Sequence, residues 1–436
     1  MTALAALAAA LALAGWARLA WLGHADRRAL VPLPPAPPGP LPSVTVVVPC
    51  RDEARGLARA AASLLAQDLP ELQVVAVDDR STDGTGEILA RLAAADPRLE
   101  VVSVAALPDG WLGKNHACHA GARRARGEWL LFTDADVVHA PDAVRRALAA
   151  ALSRRLGHLA VVPRLEAPGR LERAFGTAFA ALLSPFGGVR ELRRPGTRAF
   201  FGVGAFNLVR RDSYERAGGH ARLPLEVVDD LKLGLLLRRS GVPQGVADSG
   251  GLLSVRWQHG FAPSVLGLVK NAFAALEYRP LRAFAAAALG AAGAVVPIAL
   301  LAAGPTPLVR ALSAAALGVA ALHHAEAARR LSGASGVEGL LMPACAALVS
   351  AVVLSSALAA WARGGVVWRG THYPLERVRA GCLREQDLPA SGAVGWDEPP
   401  PQPRSAGRWR SGDKRGDGGP GTSPGPRDPE ATGSSR

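Results

Sequence analysis

Cysteine is scarce in this chain of 436 residues, and the four present (Cys50, Cys118, Cys345 and Cys382) lie far apart. None of them forms a Cys-x-x-Cys pair, and no histidine spacing completes a zinc pattern. We therefore expect neither a structural zinc site nor a disulfide framework, and the pattern fits a reducing compartment.

Lysine is also rare, with four residues against 46 arginines, and the P-loop spacing GxxxxGK[ST] is absent. A net charge of +13 can indicate nucleic-acid binding. Residues 381–436, however, hold eight basic and eight acidic side chains, and the excess elsewhere is scattered as arginine pairs near apolar stretches. Basic residues beside membrane segments explain this distribution, so no nucleic-acid partner is expected.

The N-terminus carries an apolar run long enough to span a bilayer, residues 2–22, interrupted only by Arg18. Arg27 and Arg28 follow this run, whereas a cleaved signal peptide has its positive charge before the apolar core. The charges favour an uncleaved anchor with the following domain in the cytoplasm. The sequence thus predicts an anchor over 1–24 and a stiff proline-rich linker over 25–42.

Short strands and helices alternate from residue 43 to about residue 262. The pattern predicts strands over 44–48, 72–77, 99–104 and 129–133, and helices over 54–67, 84–95 and 115–126. Such alternation predicts an α/β domain with a mainly parallel sheet and helices on both faces, in which ligands bind beyond the carboxyl ends of the strands.

The chain becomes apolar again over residues 263–380. An amphipathic helix is predicted over 262–277, and membrane spans over 283–303 and 337–361, whereas 308–325 reads as spanning or re-entrant. A third span would place the basic stretch 363–379 outside the cell, so two spans are preferred. The tail, 381–436, lacks the apolar residues that would bury a core and is predicted to be disordered.

Two carboxylates follow the buried strand in "FTDAD", at Asp134 and Asp136. If the chain stays extended, alternation places both on one face, where they repel each other unless a cation lies between them. Oxygen ligands of this kind suit Mg²⁺ or Mn²⁺. The alternative is a solvated turn.

Two further strand ends carry polar groups. In "VDDRSTDGT", Asp79 can accept hydrogen bonds from a nucleoside, although this segment also suits turn and helix-cap chemistry. In "WLGKNHA", Lys114 lies at a helix start, where an ammonium and free backbone N–H groups favour a diphosphate. The alternative is an ordinary surface lysine.

The ordered set "VVVPCRDE", "VDDRSTDGT", "GKNHAC", "FTDAD" and "VVDDLKLG" resembles the family-2 glycosyltransferases with the GT-A fold. The apolar flanks and "WRGTHYPL" resemble the membrane branch of that family, of the hopanoid-associated, carotenoid-acid and ceramide glucosyltransferase types. The resemblance covers residues 43–262 well. It implies a metal-dependent, inverting transfer of a sugar from a nucleoside-diphosphate sugar to a hydroxyl or carboxyl group of a lipid-type acceptor, by a multi-pass cell-membrane enzyme.

The resemblance also assigns site residues. Asp230 is the implied catalytic base and Asp229 its neighbour, with Asp replacing the Glu that the family commonly has at the first position; the alternative is a helix N-terminus decorated with acids. Pro49, Arg51, Glu53 and Asp79 are implied in nucleotide binding, Lys114 in diphosphate binding, and Asp134 and Asp136 in holding the metal, with Asp134 also contacting the nucleotide sugar.

The segment "LSVRWQHG" keeps Arg256 and Trp257 of the family's (Q/R)xxRW pattern but has Leu253 at its first position. Arg256 is an expected contact of the leaving diphosphate and Trp257 of the acceptor, and the alternative is a core tryptophan beside a surface arginine. Leu253 counts against a processive polysaccharide synthase. The sequence also leaves open a nucleotidyltransferase, or a catalytically silent scaffold that binds nucleotide sugar.

Overall fold

A computed structural model describes residues 1–192, 194 and 197–384. The predicted disordered tail lies outside the described residues from residue 385 onward. The strands are β1 (Val31–Pro32), β2 (Val44–Cys50), β3 (Leu72–Asp78), β4 (Leu99–Ser103), β5 (Trp129–Phe132), β6 (Val138–His139), β7 (His158–Val162), β8 (Arg164–Leu165), β9 (Asn207–Arg210), β10 (Gln244–Asp248), β11 (Leu253–Val255), β12 (Gly365–Trp368) and β13 (Thr371–Pro374).

Eight of these strands form a central sheet in the order β4–β3–β2–β5–β9–β7–β10–β1. Every neighbouring pair is parallel except those of β9, which is antiparallel to both β5 and β7. The chain adds β3 and β4 on one side of β2 and β5 on the other. A crevice opens beyond the carboxyl ends of strands at such a reversal of strand order.

Helices cover both faces of the sheet, as predicted. Val46 of β2 packs in a layer with Leu57, Leu89 and Leu148, whereas Val47 faces the opposite layer with Cys118 and Leu236. The helices are α1 (Thr2–Ala29), α2 (Leu57–Leu65), α3 (Thr85–Ala95), α4 (Gly113–Ala122), α5 (Ala143–Ser153), α6 (Arg170–Gly187), α7 (Arg211–Ala217), α8 (Asp229–Arg239), α9 (Phe261–Ala275), α10 (Pro280–Ala303), α11 (Pro307–Ser332), α12 (Met342–Ala362) and α13 (Leu375–Ala380).

The described residues contain four helical segments long and apolar enough to cross a membrane: α1, α10, α11 and Val337–Ala362. The stretch that the sequence left as spanning or re-entrant is one unbroken helix of 26 residues, α11. Side chains such as Leu4, Leu281 and Leu308 on these helices are exposed, as expected for surfaces that face lipid.

The proline-rich linker begins later than predicted. Helix α1 continues to Ala29, because Asp26 pairs with Arg190 at 3.0 Å and Arg27 with Glu326 at 2.6 Å. The next residues, Val31–Pro32, then pair with β10 at the edge of the sheet. The stretch outside regular structure is therefore shorter than residues 25–42.

Candidate active site

Four of the predicted site residues lie beyond the carboxyl ends of β2, β3 and β5, where the strand order reverses. Arg51 and Glu53 follow β2, Asp79 follows β3, and Asp134 follows β5. Parallel pairing brings these three strand ends to the same edge of the sheet. Acidic groups that are remote in sequence therefore meet around one crevice.

Asp79 is buried, with 4% of its surface exposed, and two guanidinium groups hold it. Arg80 donates to both carboxylate oxygens, at 2.8 and 3.1 Å, and Arg51 donates to the Asp79 main-chain oxygen at 3.0 Å. Gly113, at the start of α4, packs directly against this carboxylate, since a Cβ atom at Gly113 would overlap Oδ2 of Asp79. A nucleoside that bonded this carboxylate would share it with Arg80.

Lys114 joins two acidic segments of the crevice. Its Nζ atom lies 2.7 Å from Oδ1 of Asp134 and 3.5 Å from Oδ1 of Asp229, at the start of α8. Burial favours the neutral amine, but the carboxylates of Asp134, Asp229 and Asp230 outweigh it and raise the pKa of Lys114 well above its usual value. The lysine is therefore a fixed positive charge between them.

Asp230 is held by backbone donors. The N–H of Gly204 donates to its Oδ2 at 2.7 Å, and the N–H of Leu231 to its Oδ1 at 2.8 Å. Burial raises the pKa of both Asp230 and its neighbour Asp229, and the nearby Lys114 opposes that rise. Asp230 is thus fixed in orientation and carries a raised proton affinity, as a proton acceptor requires.

A loop of small residues packs against these carboxylates. A Cβ atom on Gly204 would lie 2.5 Å from Oδ2 of Asp134, and one on Gly202 would overlap the main-chain oxygen of Asp230. Sequence reasoning missed this loop. The signal available was the pair of glycines in "FFGVGAFN", directly before a strand.

Asp134 and Asp136 lie at a turn and not on an extended strand. Strand β5 ends at Phe132 and the chain turns at residues 135–136, so the extended geometry that the sequence suggested is wrong. Burial, followed by the negative charges of Asp134 and Glu53, raises the pKa of Asp136 to about 7. This gathering of carboxylates suits a hard divalent cation, which often takes only one or two protein carboxylates.

A different group of potential ligands is more tightly clustered. The ligand atoms of Cys118, His220 and Asp229 all lie within 4.8 Å of one another, and all three residues are buried. Among the described residues, Asp134 and Asp136 belong to no such cluster of three or more. The Lys114 ammonium lies 3.5 Å from Asp229 of this cluster and 2.7 Å from Asp134, so its positive charge is next to both groups of potential ligands.

The cavity between these groups is lined by residues of β2, α4, β5 and α8. Its lining includes Pro49, Lys114, Thr133, Asp134, Gly204, Asn207, His220, Asp229 and Asp230. Six predicted site residues do not belong to that lining: Arg51, Glu53, Asp79, Asp136, Arg256 and Trp257. Arg256 lies 3.5 Å from Glu172, and the Trp257 ring stacks on Phe179 with centroids 5.5 Å apart.

One basic residue at the crevice comes from the far end of the chain. After α12, the β12–β13 hairpin returns to the sheet domain, and Arg369 at its tip donates to Oε1 of Glu53 at 3.2 Å. Tyr373 donates to the main-chain oxygen of Trp111 at 3.1 Å, and Arg377 pairs with Asp109 at 2.8 Å. Sequence reasoning quoted this segment as a family feature but assigned Arg369 no role.

Comparison with known proteins shows which family model this domain matches. Residues 45–218 match the family model of Glycosyl transferase family 2. The match places a domain similar to the family 2 glycosyltransferases in this part of the chain. This confirms the family resemblance that the sequence motifs indicated.

The domain also matches curated relatives. It is similar to the 4,4'-diaponeurosporenoate glycosyltransferases of Staphylococcus aureus (strain USA300), at 26% identity over 233 residues, and of Staphylococcus haemolyticus (strain JCSC1435), at 27% over 243 residues. Each match covers 52% of this chain and 60% of the relative, so the chain spans about 60% of the length of these relatives.

A solved structure shares the fold. The mannosyltransferase PcManGT from Pyrobaculum calidifontis, in complex with GDP-Man and Mn²⁺, superposes with a TM-score of 0.53 at 22% identity, over 81% of this chain and 98% of that one. The predicted GT-A fold, a mainly parallel sheet with helices on both faces and flanking apolar helices, is confirmed.

Proposed function

We propose that this protein transfers a sugar, with inversion, from a nucleoside-diphosphate sugar to a hydroxyl or carboxyl group of a lipid-type acceptor at the membrane. The observation that carries the proposal is the position of Lys114, which lies between Asp134 and Asp229 and next to Asp230. A family 2 glycosyltransferase domain supports the reaction class, and the names of the Staphylococcus relatives support a lipid-like acceptor.

The roles follow from the chemistry at each position. Arg51, Glu53 and Asp79 bind the nucleoside beside Pro49, and Lys114 neutralises charge that grows on the departing diphosphate. The acceptor oxygen attacks the anomeric carbon from the face opposite the diphosphate, the bond to the diphosphate breaks, and Asp230 takes the acceptor proton. Asp229 keeps Lys114 in place.

Asp134 and Asp136 are the residues that would hold a divalent cation, Mg²⁺ or Mn²⁺. When bound, such a cation supplies further positive charge to the diphosphate. The carboxylate oxygens and the raised pKa of Asp136 fit this assignment, and the Mn²⁺ in the PcManGT complex supports it.

The membrane location is part of the proposal. Helix α1 ends with Arg27 and Arg28, which favours a cytoplasmic site for the sheet domain. Four apolar helices in the described part of the chain support a multi-pass protein of the cell membrane. An acceptor whose reactive head lies at the bilayer surface would reach the crevice there.

The test uses membranes that contain the full chain, a lipid extract and a panel of sugar nucleotides, with Mn²⁺ or EDTA. We expect release of a nucleoside diphosphate and a lipid product of inverted anomeric configuration, and loss of turnover in EDTA. Asp230→Asn and Asp136→Asn should each lower turnover by about 10²-fold or more. Asp142→Asn is the control, because Asp142 pairs with Arg146 on the outside of the domain.

Each element of the proposal has an outcome that removes it. Pyrophosphate as the product would instead show a nucleotidyltransferase, and a polymeric product a processive synthase. Donor binding without turnover would show a scaffold. Full activity in Asp230→Asn would remove the proposed base, and activity in EDTA would remove the cation.

A further inference from the structure

A second cavity, of about 550 Å³, lies where the sheet domain meets the end of α11. Its walls come from β8, the segment before α6, β11 and the last residue of α11. Polar and basic side chains dominate its lining: Arg164, Glu166, Arg173, Ser254, Arg256 and Ser332. None of these residues has a role in the transfer mechanism proposed above. Arg256 was expected to contact the diphosphate but lies in this lining instead.

The three arginines in the lining of this cavity differ in how far a carboxylate compensates their charge. Three guanidinium groups face one carboxylate in its lining, and that carboxylate, Glu166, lies 3.5 Å from Arg59. Arg173 is 2.9 Å from the buried Glu338, and Arg256 is 3.5 Å from Glu172. Arg164 has no carboxylate partner among the described residues, and its only hydrogen bond there is a long one, 3.4 Å, to the Ser332 main-chain oxygen. Guanidinium groups recognise phosphate and carboxylate through paired N–H donors.

A helix N-terminus also lies at this cavity. Ala167 and Pro168 line the cavity and directly precede α6, an 18-residue helix. No side chain caps the N-terminus of α6, and Glu172 in its first turn already places a negative charge near these N–H groups. The cavity therefore combines Arg164, which has no carboxylate partner among the described residues, with two ion-paired arginines and an uncapped helix end that Glu172 partly neutralises.

The surroundings distinguish a lipid from a soluble anion. Ser332 in the cavity wall is the last residue of α11, a helix long enough to cross a membrane, so the cavity lies at the level where that helix leaves the bilayer. Exposed apolar side chains lie close by along the chain, with Leu171 at 56%, Val337 at 49% and Leu340 at 74% exposure. Such surface suits acyl chains beside a charged head.

We infer that this cavity binds the anionic head, phosphate or carboxylate, of a membrane lipid. Ser254 in its wall pairs with Val138, two residues beyond Asp136, so a bound head would lie next to the sugar-donor crevice. The inference stands on the cavity and not on the proposed transfer, because binding can be measured without turnover.

The experiment measures thermal unfolding of the full chain in an uncharged detergent. The probes are dioctanoyl phosphatidic acid, dioctanoylglycerol with the same tails and no charge, and inorganic phosphate at equal concentration. We expect phosphatidic acid to raise the unfolding midpoint, and the other two to raise it much less. Arg164→Gln and Arg256→Gln should each raise the half-saturating concentration of phosphatidic acid about tenfold.

Two further variants make the result specific. Arg164→Lys keeps the charge and should retain most of the rise in unfolding midpoint with phosphatidic acid. Arg282→Gln removes an arginine of α10 that pairs with Glu277, outside the cavity lining, and should leave that rise unchanged. An equal response to dioctanoylglycerol would overturn the charge requirement, and an equal response to inorganic phosphate would overturn the lipid. No response in the wild type, unchanged Arg164→Gln and Arg256→Gln, or an equal loss in Arg282→Gln would each overturn the site.

Discussion

The Nη2 atom of Arg369 lies 3.2 Å from Oε1 of Glu53, although 316 residues separate the two in sequence. Arg369 and Gly370 occupy the two-residue turn of the β12–β13 hairpin, and both have positive φ angles, 47° and 80°. Such turns match the twist of paired strands. The hairpin thereby holds a guanidinium at the mouth of the crevice.

Replacing Arg369 by alanine should weaken donor binding. Burial already raises the pKa of Glu53, and Arg369 opposes that rise, so its loss leaves an uncompensated acidic group near the diphosphate. We expect the KM for the sugar nucleotide to rise several-fold, with a smaller change in kcat. Arg379→Ala, an exposed change on the same segment, is the control, and equal KM values for the two variants would show that the hairpin does not serve the donor.

Replacing Lys114 by glutamine should lower kcat/KM by about 10² to 10³-fold. The substitution removes a positive charge from the site where, in the proposed function, the departing diphosphate gathers negative charge. It also leaves Asp134 and Asp229 without the ammonium between them. Steady-state kinetics beside Lys270→Gln, an exposed lysine on α9, measure the effect. A loss of less than threefold would remove Lys114 from the diphosphate site.

Replacing Gly113 by alanine should displace Asp79. The added methyl group would overlap the Asp79 carboxylate, which Arg80 fixes from the other side. We expect a higher KM for the donor and a loss of about 1–3 kcal/mol in stability. Gly56→Ala is matched, because a Cβ atom there meets no atom within 4 Å. Unchanged donor binding in Gly113→Ala would mean that Asp79 does not contact the nucleoside.

Glu226 should make the fold less stable as the pH rises. Burial raises the pKa of this carboxyl group from 4.5 to about 7. The unfolded chain releases the proton near pH 4.5, whereas the native state keeps it to about pH 7. The native state therefore binds more protons between these values, and about 3 kcal/mol of stability, fully present below pH 4.5, is lost by about pH 7.

The measurement compares thermal unfolding of the full chain at pH 5 and pH 8. In Glu226→Gln the decrease between the two should be smaller than in the wild type, because the amide does not titrate. Exposed Glu128→Gln should behave like the wild type. An unchanged decrease in Glu226→Gln would assign the pH dependence to other groups.

The part of the fold that follows from local pattern could be predicted from sequence. Each predicted strand up to Phe132 has a counterpart within two residues of its expected ends, because short β-branched runs between helices define it. The end of β2 shows the limit of this pattern. The predicted strand stops at Val48, but Pro49 and Cys50 pair with Val77 and Asp78 and extend it.

Long-range pairing could not be read from the sequence. Nothing local indicates that β9 lies antiparallel between β5 and β7, or that Arg369 reaches Glu53. In both cases the partner is chosen by three-dimensional packing. The motif around Arg256 likewise identifies residue types but does not show which cavity their side chains line. In the structure, Arg256 lines the second cavity.

The contact between the β12–β13 hairpin and the sheet domain also limits the number of times that the chain can cross a bilayer. The segment before α10, at Glu277, pairs with Lys232 of the sheet domain, and the segment after α12 contacts the same domain. Three segments long and apolar enough to cross a membrane lie between these two points. If both points are on one side of a membrane, the chain between them crosses it an even number of times. Residues 304–306 join α10 to α11, and Glu338, near the start of the segment Val337–Ala362, pairs with Arg173 of the sheet domain at 2.9 Å. An even number of crossings would then come from α10 and α11, with the third segment starting and ending beside the sheet domain.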